Sequence, residues 1–343
     1  MGGFLLAHRP RTLAALAASL ALTAALVAKP SIRSERPPLQ EPRWERLGVN
    51  AHVPSAEDFD AMERAGVRWA RVDFTWDTVE PERGRFEWPC FDAVVEQAEL
   101  HHVRLLAILG YTPPWASAWS SVHDPPRDIQ EWKDFVRTIV GRYRGRVRHW
   151  TLWNEPNSRA YFTGSKSQFI HGVLIPGARA AKEADPDCRI VGPDLAHLHG
   201  ADWDGWMDAI LSEGGCYLDV ISHHCYRDDP GAVYRELEGR KFPWEPTSVR
   251  SLLERRGQEG KPFWLTEVGW RSTSIGPVRQ AGNIVSFLKG LERRPWIDRV
   301  FLFELKDSPC LPGYGLLNVD GAPKPAFLAL RGFLLREGEA GQR

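Results

Sequence analysis

The chain has 343 residues, with 44 Lys plus Arg balanced by 44 Asp plus Glu, so its formal net charge is zero. That balance gives no global basic field, and no basic cluster with interleaved aromatics occurs, which argues against a nucleic-acid partner. The five cysteines form no CxxC and have no paired-His pattern beside them, which argues against a structural zinc. Fifteen tryptophans are more than a core usually needs, because each buried indole N–H must find a partner.

Arg9 and Arg11 precede an uncharged Ala/Leu-rich run at 12–28, closed by Lys29-Pro30. Residues 1–30 therefore read as a signal peptide or N-terminal membrane anchor. The run falls about three residues short of the ~20 that span a bilayer comfortably. A cleaved export signal comes first, membrane attachment through 12–28 second, and a periplasmic or extracellular location is expected. The Pro-rich, mixed-charge stretch 31–43 reads as a linker.

From 44 to 336 strand-like and helix-like segments alternate without a domain boundary. Strands are expected at 47–53, 67–74, 103–110, 147–152, 189–193, 217–226, 262–270 and 299–305. Helices are expected at 57–65 (N-cap Ser55, closing Gly66), 91–101, 129–143, 167–183, 203–212, 248–256, 278–293 and 325–335. Residues 337–343 are left as a tail. Eight such units make a single (β/α)8 TIM barrel, whose usual size is ~250 residues plus insertions. A doubly wound sheet would want a phosphate loop after its first strand, and no GxGxxG appears there. A monomer is expected.

In such a barrel the chemistry lies at the C-terminal strand ends. Read there, the chain offers His52, Arg71 and Asp73, then Tyr111 and Trp115. Asn154 and Glu155 end strand four, and His223, His224 and Tyr226 end strand six. Glu267 and Trp270 end strand seven, and Phe303, Glu304, Lys306 and Asp307 end strand eight.

A lone glutamate at a strand end is more often a loop ion pair. Two of them, Glu155 and Glu267, converging across a barrel mouth suit glycoside hydrolysis, where one carboxyl protonates the leaving oxygen and the other meets the anomeric carbon. Arg71 would keep Glu267 ionised, because nearby positive charge favours a carboxylate. Trp76, Trp115, Trp119 and Trp270 would stack on sugar faces, against the plainer reading of each as core. His223-His224 lacks a carboxylate partner in metal-ligand spacing, so no metal and no cofactor are expected. A sugar-binding barrel without turnover and a lysine-dependent aldolase, with Lys306 as its only candidate, are the competing readings.

The run Trp153-Asn154-Glu155-Pro156-Asn157, with Thr266-Glu267-Val268-Gly269-Trp270 later in the chain, resembles the clan A retaining glycoside hydrolases. The likeness is nearest to family 39, including bacterial exopolysaccharide-cleaving members, with family 5 second. It implies Glu155 as acid/base, Glu267 as nucleophile and Asn154 as ligand of the sugar 2-hydroxyl. Arg71 matches the strand-two arginine and Tyr226 the strand-six aromatic. Phe303 stands where many members carry a floor tryptophan. The cysteines add one structural expectation. Cys188 and Cys216 precede neighbouring strands, so they are the pair to bridge if any pair does.

Overall fold

A computed structural model of the chain describes residues 43–197, 201–239 and 248–340. All of them belong to one compact unit spanning 37–343. The expected signal or anchor segment 1–30 and nearly all of the linker lie outside the described residues. Among the described residues no helix is long and apolar enough to cross a membrane.

Eight parallel strands close into a barrel in sequence order. They are β1 Leu47–His52, β2 Trp69–Asp73, β3 Arg104–Leu109, β4 His149–Leu152, β5 Arg189–Leu195, β6 Val220–His224, β7 Phe263–Val268 and β8 Ile297–Leu302. Closure comes from β1 pairing with β8, Gly48 opposite Phe301. The local sequences explain the strands. β3 reads Arg-Leu-Leu-Ala-Ile-Leu and is buried from its second residue onward, as a strand covered by the barrel interior on one face and helices on the other must be.

The helices carry the complementary pattern. Helix Ile129–Arg142 buries Trp132, Phe135, Val136, Ile139 and Val140, a spacing that makes one apolar stripe. Each such large side chain contributes about 1.5–3 kcal/mol through burial. Helix Ala56–Ala65 starts with a Ser55/Asp58 capping box and ends at left-handed Gly66, as expected from sequence.

Below the site the barrel is plugged by Trp69, Leu106, Val191, Val220, Trp264 and Phe301. Trp69 and Trp264 meet edge to face at 5.2 Å, and the Arg299 guanidinium lies 3.9 Å over the Trp69 ring. Gly48 is required here, because a Cβ would sit 2.5 Å from the Phe301 ring. The filled floor confines function to the opposite mouth.

Five expectations are corrected. Helix Pro230–Glu238 had no counterpart in the sequence reading; Pro-Gly suggests a turn, but Pro230 stands in the first helical turn, where its missing N–H costs nothing, and Asp229 caps the helix. The expected helix 167–183 is three pieces: Lys166–Gln168, a wide π turn at Phe169–Leu174, and Ile175–Ala184. Pro176 cannot donate to the preceding turn, which the wider turn accommodates. β5 continues through Leu195, past its Pro193. The closing helix continues through Ala340, leaving a shorter tail. All five cysteines are free. Cys188 is buried while Cys216 is exposed, so these two thiols face different surroundings and do not bridge.

Candidate active site

The site begins with a buried cation. Arg71, near the end of β2, is 3% exposed. Its Nη1 donates to Glu267 Oε1 at 2.7 Å and to Asn50 Oδ1 at 2.9 Å. Its Nη2 donates to Asn154 Oδ1 at 2.7 Å and to Asp194 Oδ2 at 2.8 Å. Both prongs of the guanidinium are thus used, which a lysine could not reproduce. Burial opposes the charge, but Asp194 and Glu267 hold Arg71 firmly protonated.

Glu155 is placed by a strained turn. Trp153 and Glu155 have positive φ, 94° and 45°. Gly110 permits this, since a Cβ there would press on Trp153 at 3.2 Å. The Trp153 indole donates to the Tyr161 carbonyl at 2.8 Å, and the Glu155 amide donates to the Asp194 carbonyl at 3.0 Å. Asn157, the last residue of the motif, exchanges two 2.9 Å hydrogen bonds with the backbone of Ala196. It staples the turn to the end of β5 and takes no part in the mouth.

Glu267 ends at the same level on β7. Besides Arg71 it accepts a 2.6 Å hydrogen bond from the Tyr226 hydroxyl. Burial, and then the Glu267 charge, push the Tyr226 phenol well above its usual range, so it stays a donor. His224 stands between the acids. Its Nδ1 lies 2.9 Å from Glu155 Oε1 and 3.5 Å from Glu267 Oε2, and its Nε2 lies 3.9 Å from Asp194 Oδ2. Burial alone would lower its pKa; the Glu267 charge and the contacts with Asp194 and Glu155 raise it to about 9.

One oxygen of each glutamate and a ring nitrogen of His224 lie within 4.8 Å of one another. These three could in principle chelate a cation. Arg71, however, already occupies a Glu267 oxygen, and a fixed guanidinium beside a ligand set repels a metal. The arrangement suits two carboxyls with unequal partners: one tied to a guanidinium and a phenol, the other to an imidazole.

The structure brings Arg71, Asn154, Glu155, His224, Tyr226 and Glu267 together as expected. Half-buried Phe303 packs edge-on to Tyr226 at 6.0 Å and to Tyr314 at 5.5 Å, so it walls the same mouth. His52, at the rim, bridges Asp73 at 2.9 Å and Glu304 at 3.1 Å.

Three tryptophans are corrected. Trp76 is fully buried, its indole donates to Glu80 Oε2, and it packs on Phe135 and Trp132. Trp270 is 3% exposed and packs against Phe287. Trp115 donates to the Glu80 carbonyl and carries the Arg83 guanidinium 5.0 Å over its ring. Trp76 and Trp270 offer no free face to a sugar, and one face of Trp115 is taken by Arg83; each was placed by its position in a loop, whereas its neighbours decide whether the ring is covered. Trp119 is 65% exposed.

Lys306 donates to both oxygens of Asp58, which removes the aldolase candidate. Asp307 clamps the loop of Gly313 and Gly315 and pairs with Lys324. The residue that sequence reasoning missed is Asp194. It follows Gly192-Pro193, where the strand was expected to stop, and no polar run announced it.

A family profile described as Glycosyl hydrolases family 39 matches residues 112–340, more than half of the chain. A second, described as Beta-galactosidase, matches 50–124. A β-xylosidase of Geobacillus stearothermophilus is 24% identical over 298 residues, covering 74% of this chain and 58% of that protein. Endo-1,4-β-xylanase B of Thermotoga neapolitana is 27% identical, covering 75% and 77%. This chain spans only about half the length of the two β-xylosidases it matches, 58% and 46%. Among solved structures, a family 39 β-xylosidase from Caulobacter crescentus superposes with TM-score 0.68 at 22% identity, covering 88% of this chain and 73% of that one. A family 39 glycoside hydrolase from Bacteroides cellulosilyticus WH2 gives 0.67 at 22% identity, covering 84% and 63%. At these identities the structures testify to the fold, while the profile match identifies the family: this chain belongs to glycosyl hydrolases family 39.

Proposed function

We propose that the protein is a retaining glycoside hydrolase that cleaves O-glycosidic bonds of a poly- or oligosaccharide. The carrying observation is the glutamate pair, with oxygens within 4.8 Å across the mouth and dissimilar partners. Carboxyl groups ~5–5.5 Å apart go with retention, whereas inversion needs ~6.5–9.5 Å to admit a water.

Glu267, oriented by hydrogen bonds from Arg71 and Tyr226, attacks the anomeric carbon while Glu155 protonates the departing oxygen. The bond from sugar to leaving group breaks as the bond to Glu267 forms. Glu155, now a carboxylate, takes a proton from an entering water, whose oxygen displaces Glu267 and restores the enzyme. Asn154, its carbonyl oxygen fixed by Arg71, leaves its amide to the 2-hydroxyl. The xylosidase and xylanase relatives direct the first substrate screen to β-linked xylose polymers, with exopolysaccharides second. We propose further that the protein acts as a monomer and is exported, on the strength of residues 12–28, where a membrane attachment is the variant reading.

Glu155→Gln and Glu267→Gln should each reduce turnover by roughly three orders of magnitude or more. Azide should rescue Glu267→Gly on an activated aryl glycoside and yield a glycosyl azide of configuration opposite to the substrate. Full activity in both Gln variants would refute the assignment.

A further inference from the structure

We propose that Asp194 is a positioning residue that joins the two halves of the glutamate pair, through Arg71 to Glu267 and through His224 to Glu155. This inference rests on the hydrolase reading for its kinetic test only.

Asp194 is a carboxylate with no solvent exposure, on β5. A buried anion is costly unless paired, and the partners of Asp194 among the described residues belong to or support the mouth. Oδ2 accepts from Arg71 Nη2 at 2.8 Å and faces His224 Nε2 at 3.9 Å. Oδ1 accepts from Thr266 Oγ1, one residue before the nucleophile, at 2.6 Å, and from Ser222 Oγ, two residues before His224. Its carbonyl holds the Glu155 amide at 3.0 Å. Burial opposes its charge, but Arg71, His224 and Ser222 hold it well below the usual carboxylate range.

The charges give this geometry a consequence. Arg71 serves two anions, so its positive potential at Glu267 is partly offset by the negative charge of Asp194. His224 is a cation with Asp194 at one nitrogen and Glu155 at the other. Besides these, the ionisable groups acting at the pair are Tyr226, Tyr161, whose phenol is raised by burial and then by the Glu155 and Glu267 charges, and Tyr314, raised by burial and also by the Glu267 charge. Remove the Asp194 charge alone, and the potential of Arg71 at Glu267 is no longer offset, while His224 loses one of the three carboxylates that favour its cation. Glu267 then ionises more easily, whereas at Glu155 the lost Asp194 charge and the weakened His224 cation act in opposite directions. The acid limb of kcat/KM, where the nucleophile must lose its proton, moves to lower pH. One charge at ~7 Å in a medium of effective dielectric ~20 corresponds to a shift of about 1.7 pH units, of which water and dipole relaxation absorb a part. A residue that merely filled space would lower the height of the profile without moving it.

Asp194→Asn is the test. Its amide nitrogen can face the Ser222 and Thr266 hydroxyls while its oxygen keeps the Arg71 hydrogen bond, so charge changes and packing does not. The kcat/KM profile of this variant on an aryl glycoside is compared with wild type and with Ser222→Ala/Thr266→Val, which takes two hydrogen bonds but no charge. We expect the acid limb to fall by about one to two units in Asp194→Asn and to stay in place in the double variant. An unmoved acid limb in a folded Asp194→Asn, or an equal shift in the double variant, would overturn the inference. A measurement on the unsubstituted protein guards against misfolding or an inactive substrate panel. Imidazole 15N shifts should show His224 as a cation at neutral pH, and a neutral His224 would overturn the inference. Inactivity of the wild type on every glycoside would count against the hydrolase reading alone.

Discussion

Arg71→Met separates the buried ion network from the rest of the barrel. The arginine makes four hydrogen bonds, two of them to carboxylates that are almost inaccessible to water. Methionine preserves length and apolar volume but leaves Asp194 and Glu267 without their shared guanidinium, with His224 at 3.9 and 3.5 Å from them. Breaking a buried pair by removing one partner costs about 3–5 kcal/mol. At ~2–4 °C per kcal/mol for a domain somewhat smaller than this one, melting should fall by roughly 10 °C. The kinetic effect has a definite sign. At an effective dielectric of ~20, charges ~4 Å apart interact by about 4 kcal/mol, or ~3 pH units. Proton uptake by Asp194 and water entry would absorb part of this, leaving an upward move of the acid limb of kcat/KM by about one to two pH units. The assay is a pH series on an activated aryl glycoside with a melt at each pH. A folded variant melting within about 2 °C of wild type, with its acid limb in place, would refute the electrostatic account of the site.

Two further predictions concern the rim and the aromatic core. Trp76→Ala should cost about 3–5 kcal/mol of stability, as truncating a fully buried aromatic does. At temperatures where it is folded, its KM for oligosaccharides should stay within about twofold of wild type; a tenfold rise would return Trp76 to the sugar. His52 is held protonated by hydrogen bonds first to Asp73 and then to Glu304, which raise its pKa to about 10. A raised pKa stabilises the fold fully below the unfolded value near 6.5 and loses that contribution as pH climbs toward 10. His52→Gln should therefore lie below wild type in melting temperature near pH 6 and converge with it near pH 10, by a modest amount because half of the side chain meets water. Parallel curves would contradict the linkage.

The barrel was legible because each strand is covered on two faces and each helix on one, so period and apolar run length carry the fold almost without tertiary context. The catalytic acids were legible because carboxylates at the ends of apolar strands are conspicuous. Three kinds of information were not local. Whether Trp76, Trp115 and Trp270 show a face to the cleft depends on Phe135, Arg83 and Phe287, which come from other elements. Asp194 draws its meaning from Arg71, 123 residues away in sequence. The Cys188–Cys216 expectation rested on strand order, which places backbones near one another but does not aim side chains.

The most direct test of the central claim is covalent. An activated 2-deoxy-2-fluoroglycoside slows departure of the sugar from the enzyme and should accumulate the glycosyl–enzyme. Peptide mass spectrometry should then find one sugar on the peptide containing Thr266-Glu267-Val268-Gly269-Trp270, esterified at Glu267. Labelling at Glu155, or the absence of any label while the glycoside is hydrolysed, would contradict the account.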